Sequence, residues 1–172
     1  MSGGCRLCPR ECGAEREQGG LGYCRMPAEP HAARAALHYW EEPCISGAEG
    51  SGAVFFSGCT LRCVFCQNYE IASAGTGKKI SAERLAEIFL ELQEQGANNI
   101  NLVTAGHFLP PVIRALRASK AQGLRIPVVY NTGGYEKADV LRRLEGLVDV
   151  WLPDCKYRSA ELARRYSHAA DY

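Results

Sequence analysis

The sequence predicts an α/β protein in which about four strand–helix units build a parallel sheet. Four short apolar runs are each followed by a polar or glycine-bearing loop and then by apolar residues at helical spacing. This order is typical of a parallel βα array. The runs are apolar throughout, as expected for parallel strands that are covered on both faces. The pattern alone fits both an open doubly wound sheet and a barrel.

The individual elements follow from their end signals. Ser81 is expected to cap a helix whose apolar residues recur at i, i+3, i+4 and i+7 and which stops before Gly96. Pro111 is expected at the first position of a second helix, which ends by Gly123. The predicted strands cover residues 53–56, 100–103, 127–130 and 148–152, and two further helices cover 140–144 and begin at 159.

Residues 31–52 are interpreted as a strand or extended connection followed by a glycine loop. These glycines precede a strand, whereas dinucleotide-binding glycines follow a strand and open a helix. The order therefore argues against a Rossmann-type site. Cys44 in this region is expected to be a buried small residue rather than a ligand.

Length and composition limit the class of protein. The chain has 172 residues, enough for one domain with its own core. Its 20 basic and 19 acidic residues give a net charge of +1 and are scattered, so nucleic acid is not an expected partner. There is no apolar signal region and no uncharged stretch of about 18 apolar residues, so we expect a cytoplasmic protein without a membrane partner.

Cysteine usage points to metal binding. The nine cysteines are an odd number, and seven of them fall into two tight clusters. In a reducing compartment this pattern argues for metal sites rather than disulfides. The expected organisation is a cysteine-rich metal-binding segment over residues 1–30, followed by the α/β core over residues 31–172.

The second cluster, Cys59, Cys63 and Cys66, follows the first predicted strand with CxxxCxxC spacing. Thiolates at such spacing select iron–sulfur clusters or zinc. Three ligands leave one iron of a four-iron cluster open to a small molecule, as in a catalytic metal site. A structural zinc site or a buried cysteine cluster is the alternative.

This motif, with the aromatic Phe65 directly before its third cysteine, resembles that of the radical S-adenosylmethionine (SAM) superfamily. Residues 52–59 and 66–69 more narrowly resemble the pyruvate formate-lyase activating enzyme and its uncharacterised relatives. The resemblance implies a complete or partial TIM-type (β/α) barrel, a 4Fe-4S cluster on the three cysteines, and SAM bound to the fourth iron. It also implies cleavage of SAM to a 5'-deoxyadenosyl radical that abstracts hydrogen. The implied partners are an electron donor such as flavodoxin or ferredoxin and a glycyl-radical enzyme.

The N-terminal cluster contains Cys5, Cys8, Cys12 and Cys24. Four thiolates from two turns can complete a zinc shell or ligate a second iron–sulfur cluster, and the alternative is a set of free or oxidised thiols. The segment has too few apolar residues for a core of its own. Its removal before about Met26 is expected to leave the other cluster intact.

Candidate ligand-binding residues lie in the loops after the later strands, because the carboxyl ends of parallel strands converge on one mouth. The candidate cofactor-binding residues are Phe65, Asn131, Thr132, Asp154 and Lys156, and the resemblance implies particular roles for the last two. It places Lys156 near the SAM carboxylate and Asp154 near a monovalent-cation site. An ordinary ion pair is the alternative for those two residues. Asn131 stands where activating enzymes usually have an acid, so this cation site lacks a charge.

Three further residues complete the prediction. His107 is the only histidine at a predicted strand end, where it meets either a ligand or its own loop. Cys155 is expected to point into the barrel wall. A carrier protein without SAM chemistry would need a fourth cysteine, which Cys44 or Cys155 could supply.

The number of units leads to a last expectation. Four units are visible where the resemblance implies about six, so the chain is interpreted as truncated at its C-terminus. Residues 148–152 would then form an exposed apolar edge strand, and the isolated chain is expected to self-associate. An inactive fragment is therefore a third functional alternative.

Overall fold

The computed structural model of the chain describes residues 4–73 and 75–172, so residues 1–3 of the predicted cysteine-rich segment lie outside the described part. The structure is α/β and contains a six-stranded, mostly parallel sheet. Its strands are β1 (His31–His38), β2 (Ser51–Phe56), β3 (Lys78–Lys79), β4 (Ile100–Val103), β5 (Val128–Thr132) and β6 (Val150–Pro153). Their order in the sheet is β3-β1-β2-β4-β5-β6.

The predicted parallel array is present. Strands β2, β4, β5 and β6 pair in parallel in that order, and a helix follows each of them. Three of the four strands differ from their predicted boundaries, and β2 begins at Ser51 rather than at residue 53. Strand β5 extends through Thr132, which pairs with Pro153. Strand β6 begins at Val150. The preceding Asp149 accepts a hydrogen bond from the Val128 N–H through its side chain and donates its own N–H to the Val128 carbonyl.

Strand β1 extends the sheet beyond the parallel set. It pairs antiparallel with β2 on one side and with β3 on the other. The sequence gives only a weak strand signal here, because four of the eight residues are alanine, which has a low β propensity. The extended connection allowed by the sequence is therefore a full strand.

The helices lie between the strands. Ser81 caps α3 as predicted, since its hydroxyl accepts a hydrogen bond from the Arg84 N–H. Helix α4 begins at Leu109, two residues before the predicted start. Prolines 110 and 111 are tolerated in its first turn, where no N–H group needs an intrahelical partner. The helices are α1 (Pro43–Ser46), α2 (Tyr69–Ser73), α3 (Ala82–Glu94), α4 (Leu109–Ala121), α5 (Ala138–Leu141) and α6 (Ala160–Ser167).

The main core lies between the sheet and helices α3 and α4. Leu85 and Phe89 of α3 and Leu102 of β4 are fully buried there. Each buried side chain of this size contributes about 2 kcal/mol. The opposite face of the sheet carries Phe55, Val103, Asn131 and Leu152 at paired positions, and these four border a large cavity. The fold thus separates a packed face from a face that is open to ligands.

The cysteine-rich segment packs against this α/β unit. Cys24 and Met26 belong to the main core. A Cβ atom at Gly58, the residue before Cys59, would lie 2.5 Å from both the Cys24 carbonyl oxygen and Met26 Cγ. This direct contact argues against the expectation that the segment can be removed without affecting the second cysteine cluster.

Strands β3 and β6 are the edges of the sheet in the described part of the chain. The apolar edge strand predicted for residues 148–152 is therefore observed as β6, whose Trp151 side chain is 43% exposed. An open, mostly parallel sheet of this kind is consistent with a partial barrel of the TIM type. Among residues 4–73 and 75–172, no helix is long and apolar enough to cross a membrane.

Candidate active site

A cavity of about 950 Å³ lies where the parallel strands end. Cys59, Cys63 and Cys66 line it, together with residues from the ends of β2, β4, β5 and β6. This is the location expected for chemistry in a parallel βα array. The three cysteines and the strand-end loops therefore share one site.

The backbone of the cluster loop, residues 57–66, is tightly folded. Gly58 and Arg62 both adopt left-handed conformations, with φ values of 81° and 61°. For Arg62 this conformation costs about 1–2 kcal/mol. The Cys66 N–H donates to the Cys63 carbonyl at 3.1 Å, and the Leu61 N–H donates to Cys59 Sγ at 3.4 Å. This loop places all three cysteines at the wall of the cavity.

Helix α6 supports the cluster loop from outside. The Val64 N–H donates to the Tyr166 carbonyl at 2.9 Å, and the Ser167 hydroxyl donates to Cys63 Sγ at 2.8 Å. Leu61 and Cys63 are buried in a small apolar cluster with Ala163 of this helix. The last helix therefore holds a cysteine loop that precedes it by about 100 residues.

The three thiols suit a thiophilic metal site. Cys63 is buried, and Cys59 and Cys66 are half-buried at the cavity wall. Burial raises the pKa of the Cys59 thiol, and the neighbouring Cys63 and Cys66 raise it further. In the described part of the chain, however, no group of three or more His, Cys, Asp or Glu side chains is already arranged to hold a metal ion. Binding would therefore require the thiols to turn toward a common centre.

A fourth thiol is absent from the lining of this cavity, as far as the described residues show. Cys44 is exposed in the short helix α1, so the expected burial is wrong. Cys155 is also exposed, so the expected position in the barrel wall is wrong as well. The strand β6 ends at Pro153, so Cys155 is no longer held by the sheet.

Asn131 lies at the cavity wall, as the sequence predicts for a ligand-binding residue. Its Nδ2 donates to Oε2 of Glu41 at 3.3 Å. Burial raises the pKa of the Glu41 carboxyl, and the nearby Glu42 and Asp154 raise it further, while His38 lowers it. The sequence did not predict Glu41 as a site residue. It reaches the cavity because the connection after β1 passes over this face of the sheet. The Glu41 carboxylate thus lies beside Asn131, the position at which activating enzymes usually have an acid.

Thr132 does not line the cavity, in contrast to its predicted cofactor-binding role. Because β5 extends through this residue, its side chain is buried and donates to Oε1 of Glu136. The Gly134 N–H donates to the same hydroxyl at 3.2 Å. Glu136 itself lines the cavity, and burial raises the pKa of its carboxyl. Thr132 therefore contacts the cavity residue Glu136 rather than the cavity itself.

Asp154 and Lys156 both line the cavity and form an ion pair with an N–O distance of 2.5 Å. Burial lowers the pKa of Lys156, but the hydrogen bond and charge of Asp154 outweigh it, so the pKa lies above its ordinary value. The Tyr172 hydroxyl accepts a hydrogen bond from the Lys156 N–H at 2.9 Å. A fixed positive charge therefore faces the cysteine-lined cavity.

Phe65 is 56% exposed at the cavity and meets the Tyr157 ring edge-on at 6.1 Å. The structure therefore places it at the mouth of the cavity, where an apolar ring surface remains available to a ligand. Gly133 is also at this mouth, where a Cβ atom would lie 2.8 Å from Leu61 Cδ1. A larger residue at this position would therefore require the Leu61 side chain to move.

His107 is a structural residue rather than a ligand. It is buried, and its Nε2 donates to the Ser57 carbonyl at 2.7 Å. Burial lowers the pKa of His107 to about 4, and the nearby charge of Arg16 contributes in the same direction. The neutral imidazole therefore fixes the start of the cluster loop from behind.

The chain matches the radical SAM superfamily over residues 53–165, which include the cluster loop and all the strand-end residues described above. It belongs to this superfamily, and membership implies a 4Fe-4S cluster and SAM as cofactors. It is also 30% identical, over 98% of its length, to the uncharacterised protein MJ0674 of Methanocaldococcus jannaschii. The chain spans about half the length of that relative.

Proposed function

We propose that the protein is an enzyme that binds a 4Fe-4S cluster through Cys59, Cys63 and Cys66 and binds SAM at the open iron. The observation that carries this proposal is the count of thiols: three of them line the cavity, and no described fourth one does. When bound and reduced, such a cluster would supply one electron for cleavage of SAM to methionine and a 5'-deoxyadenosyl radical, which would abstract hydrogen from the substrate.

The side chains around the cavity support SAM binding. Lys156 offers a positive charge for the SAM carboxylate, and Asp154 holds that lysine in place. Glu41 supplies negative charge next to Asn131 and near Asp154, so this corner suits a cation or a ligand ammonium group. Phe65 offers an apolar face at the mouth. The volume of about 950 Å³ is at the upper end for ligand sites, which leaves room for a substrate group beside SAM.

The substrate in this proposal is a protein glycine, so the enzyme would activate a glycyl-radical enzyme in the cytoplasm with an electron from flavodoxin or ferredoxin. The support is the resemblance of residues 52–59 and 66–69 to activating enzymes. We also propose that Cys5, Cys8, Cys12 and Cys24 bind a zinc ion or a second iron–sulfur cluster. The sheet is proposed to curve into a partial barrel.

The decisive experiment is anaerobic reconstitution followed by electron paramagnetic resonance (EPR) of the reduced cluster, recorded before and after SAM is added. A change in the signal on adding SAM is expected, because SAM would bind directly to iron. Single substitutions of Cys59, Cys63 and Cys66 by alanine should abolish that cluster. The matched control is Cys44→Ala, which alters an exposed cysteine outside the cavity.

Two results would reject the proposal. A reduced cluster whose signal is unchanged by SAM would favour an electron-transfer or storage protein with a fully ligated cluster. Retention of the SAM-responsive signal in the single cysteine variants would show that other residues bind the cluster.

A further inference from the structure

The four N-terminal cysteines come from two backbone turns that face each other. In the first turn, the Cys5 N–H donates to the Ala14 carbonyl at 2.9 Å and the Gly13 N–H donates to the Cys5 carbonyl at 3.0 Å. Cys8 lies in the bend between these partners, where its carbonyl accepts from the Glu11 N–H at 3.0 Å. This pairing brings Cys5, Cys8 and Cys12 onto a single compact loop.

The second turn brings Cys24 to the same place. The Arg25 N–H donates to the Gly22 carbonyl at 2.8 Å, which closes the turn. A Cβ atom at Gly22 would lie 3.2 Å from Cys24 Sγ and 3.5 Å from Cys12 Sγ. The thiols of the two turns are therefore close neighbours, and a side chain at Gly22 would crowd them.

A buried guanidinium adjoins this set of thiols. Arg16 is only 7% exposed, and its Nη1 lies 3.7 Å from Cys5 Sγ. Its Nε donates to the Met26 carbonyl at 3.0 Å, which ties the two turns together. Four thiolates around a divalent ion carry a net charge of −2, and a buried arginine offsets part of that charge.

We infer that Cys5, Cys8, Cys12 and Cys24 bind one zinc ion in a closed four-thiolate shell, and that this ion stabilises the cluster loop. A single ion requires sulfur atoms about 3.8 Å apart, given a Zn–S bond of about 2.3 Å. The sulfurs of Cys12 and Cys24 lie within 3.5 Å of one point beside Gly22, and Cys5 and Cys8 share the loop of Cys12, so we assign one small ion to this compact set. The described residues show the thiols near each other but not yet turned toward one centre.

The physical need for the metal comes from the composition of the segment. Before Cys24 its apolar side chains are few, and Leu7 is only half-buried against the core. A structural zinc site supplies folding energy where an apolar core is missing. The ion would therefore order this segment and, through it, the surface that contacts the cluster loop.

The contacts to the cluster loop are extensive. Arg10, two residues after Cys8, donates to the Thr60 carbonyl at 2.8 Å. The guanidinium groups of Arg10 and Arg62 each lie 4.1 Å from the centre of the Tyr23 ring. Arg62 also donates to the Tyr23 carbonyl. Residues adjacent to Cys8 and Cys24 thus hold both sides of the loop that carries Cys59, Cys63 and Cys66.

The test is zinc analysis of the anaerobically purified chain and of two sets of variants. One equivalent of zinc is expected in the unmodified chain and in a triple variant in which Cys59, Cys63 and Cys66 are changed to alanine. The zinc should be lost in Cys12→Ser, which alters an exposed side chain outside the apolar core, and in Cys24→Ser. Cys44→Ser is the matched control and should retain it.

Amide hydrogen exchange of residues 57–66 tests the stabilising role. Exchange in this loop should be several-fold faster in Cys12→Ser than in Cys44→Ser. Equal exchange rates would overturn the stabilising role. No zinc in the unmodified chain, or additional iron and sulfide that depend on Cys12, would overturn the zinc site itself. This inference rests on the proposed function only for the role of the cluster loop, and zinc content is measured independently of the SAM-dependent EPR signal.

Discussion

The side chain of Arg10 donates a 2.8 Å hydrogen bond to the carbonyl of Thr60, the residue that follows the first cysteine of the cluster loop. The same guanidinium donates to the Ser167 carbonyl at 2.9 Å and to the His168 carbonyl. One side chain of the cysteine-rich segment therefore links the cluster loop to the end of α6. Only arginine has enough donors in a fixed planar arrangement to do this.

We predict that Arg10→Gln lowers the free energy of unfolding by about 2–3 kcal/mol, because several carbonyl groups lose a charged donor at once. The same variant should retain less iron in the cluster loop after reconstitution. Urea unfolding and iron analysis measure the two effects. Arg6→Gln is the control, since Arg6 is exposed in the same segment. Equal stability of the two variants would contradict the linking role.

Lys156→Met is predicted to weaken SAM binding about 10-fold to 100-fold, the cost of losing a charged hydrogen bond to a carboxylate. Iron content should not change, because Lys156 is not a cluster ligand. The measurement is titration of the reduced cluster with SAM, followed by EPR. Lys78→Met, at an exposed edge strand, should bind SAM as the unmodified chain does. If Lys156→Met also binds SAM normally, the lysine only forms an ion pair with Asp154.

His107 makes stability depend on pH. Its pKa is about 4 in the folded protein, against 6.5 when unperturbed, so the unfolded chain binds more protons between these values. The free energy of unfolding therefore has its full value above pH 6.5. It decreases by about 3 kcal/mol in total as the pH falls toward 4.

Urea unfolding at pH 7.5 and at pH 5 tests this effect. The loss of stability at pH 5 should be smaller in His107→Asn than in the unmodified chain. His168→Asn replaces an exposed histidine that has a left-handed conformation, which asparagine tolerates, and should leave the pH dependence unchanged. An identical pH dependence in all three proteins would rule out His107 as the cause.

Asn131→Asp is predicted to destabilise the protein by about 1–2 kcal/mol at pH 7, because it places a second carboxylate against Glu41. Adding Glu41→Gln should restore stability, since the glutamine amide can donate to the new aspartate. Lower pH should relieve the single variant, because Glu41 already has a raised pKa. A double-mutant cycle by urea unfolding measures the coupling. Additive effects would show that the two side chains do not interact.

Local patterns in the sequence predicted the features that depend on neighbours in the chain. The parallel strands follow from continuous apolar runs, and Ser81 caps α3 because the cap bonds to a residue three positions away. The cysteine spacing likewise defines the cluster loop without knowledge of the fold. These signals suffice for the α/β class and for the centre of the candidate site.

Contacts between distant residues could not be predicted in this way. Glu41 reaches Asn131 across 90 positions, and only the antiparallel strand β1 brings it to the cavity. Thr132 was assigned to the cavity because a strand end was placed two residues too early. Cys44 was expected to be buried from its residue type, and Cys155 from its position between Asp154 and Lys156, whereas both are exposed.

The bonds from Arg10 to the end of α6 also set an order of events during synthesis. Ser167 follows Arg10 by 157 residues, and a ribosome adds about 5–20 residues per second, so roughly 8–30 s separate their translation. During that interval Arg10 cannot make its contacts with the end of α6, so the loop that carries Cys5, Cys8 and Cys12 lacks part of its final packing. Oxygen and competing metals therefore have their best access to these thiols before the chain is complete, and anaerobic handling matters from translation onward.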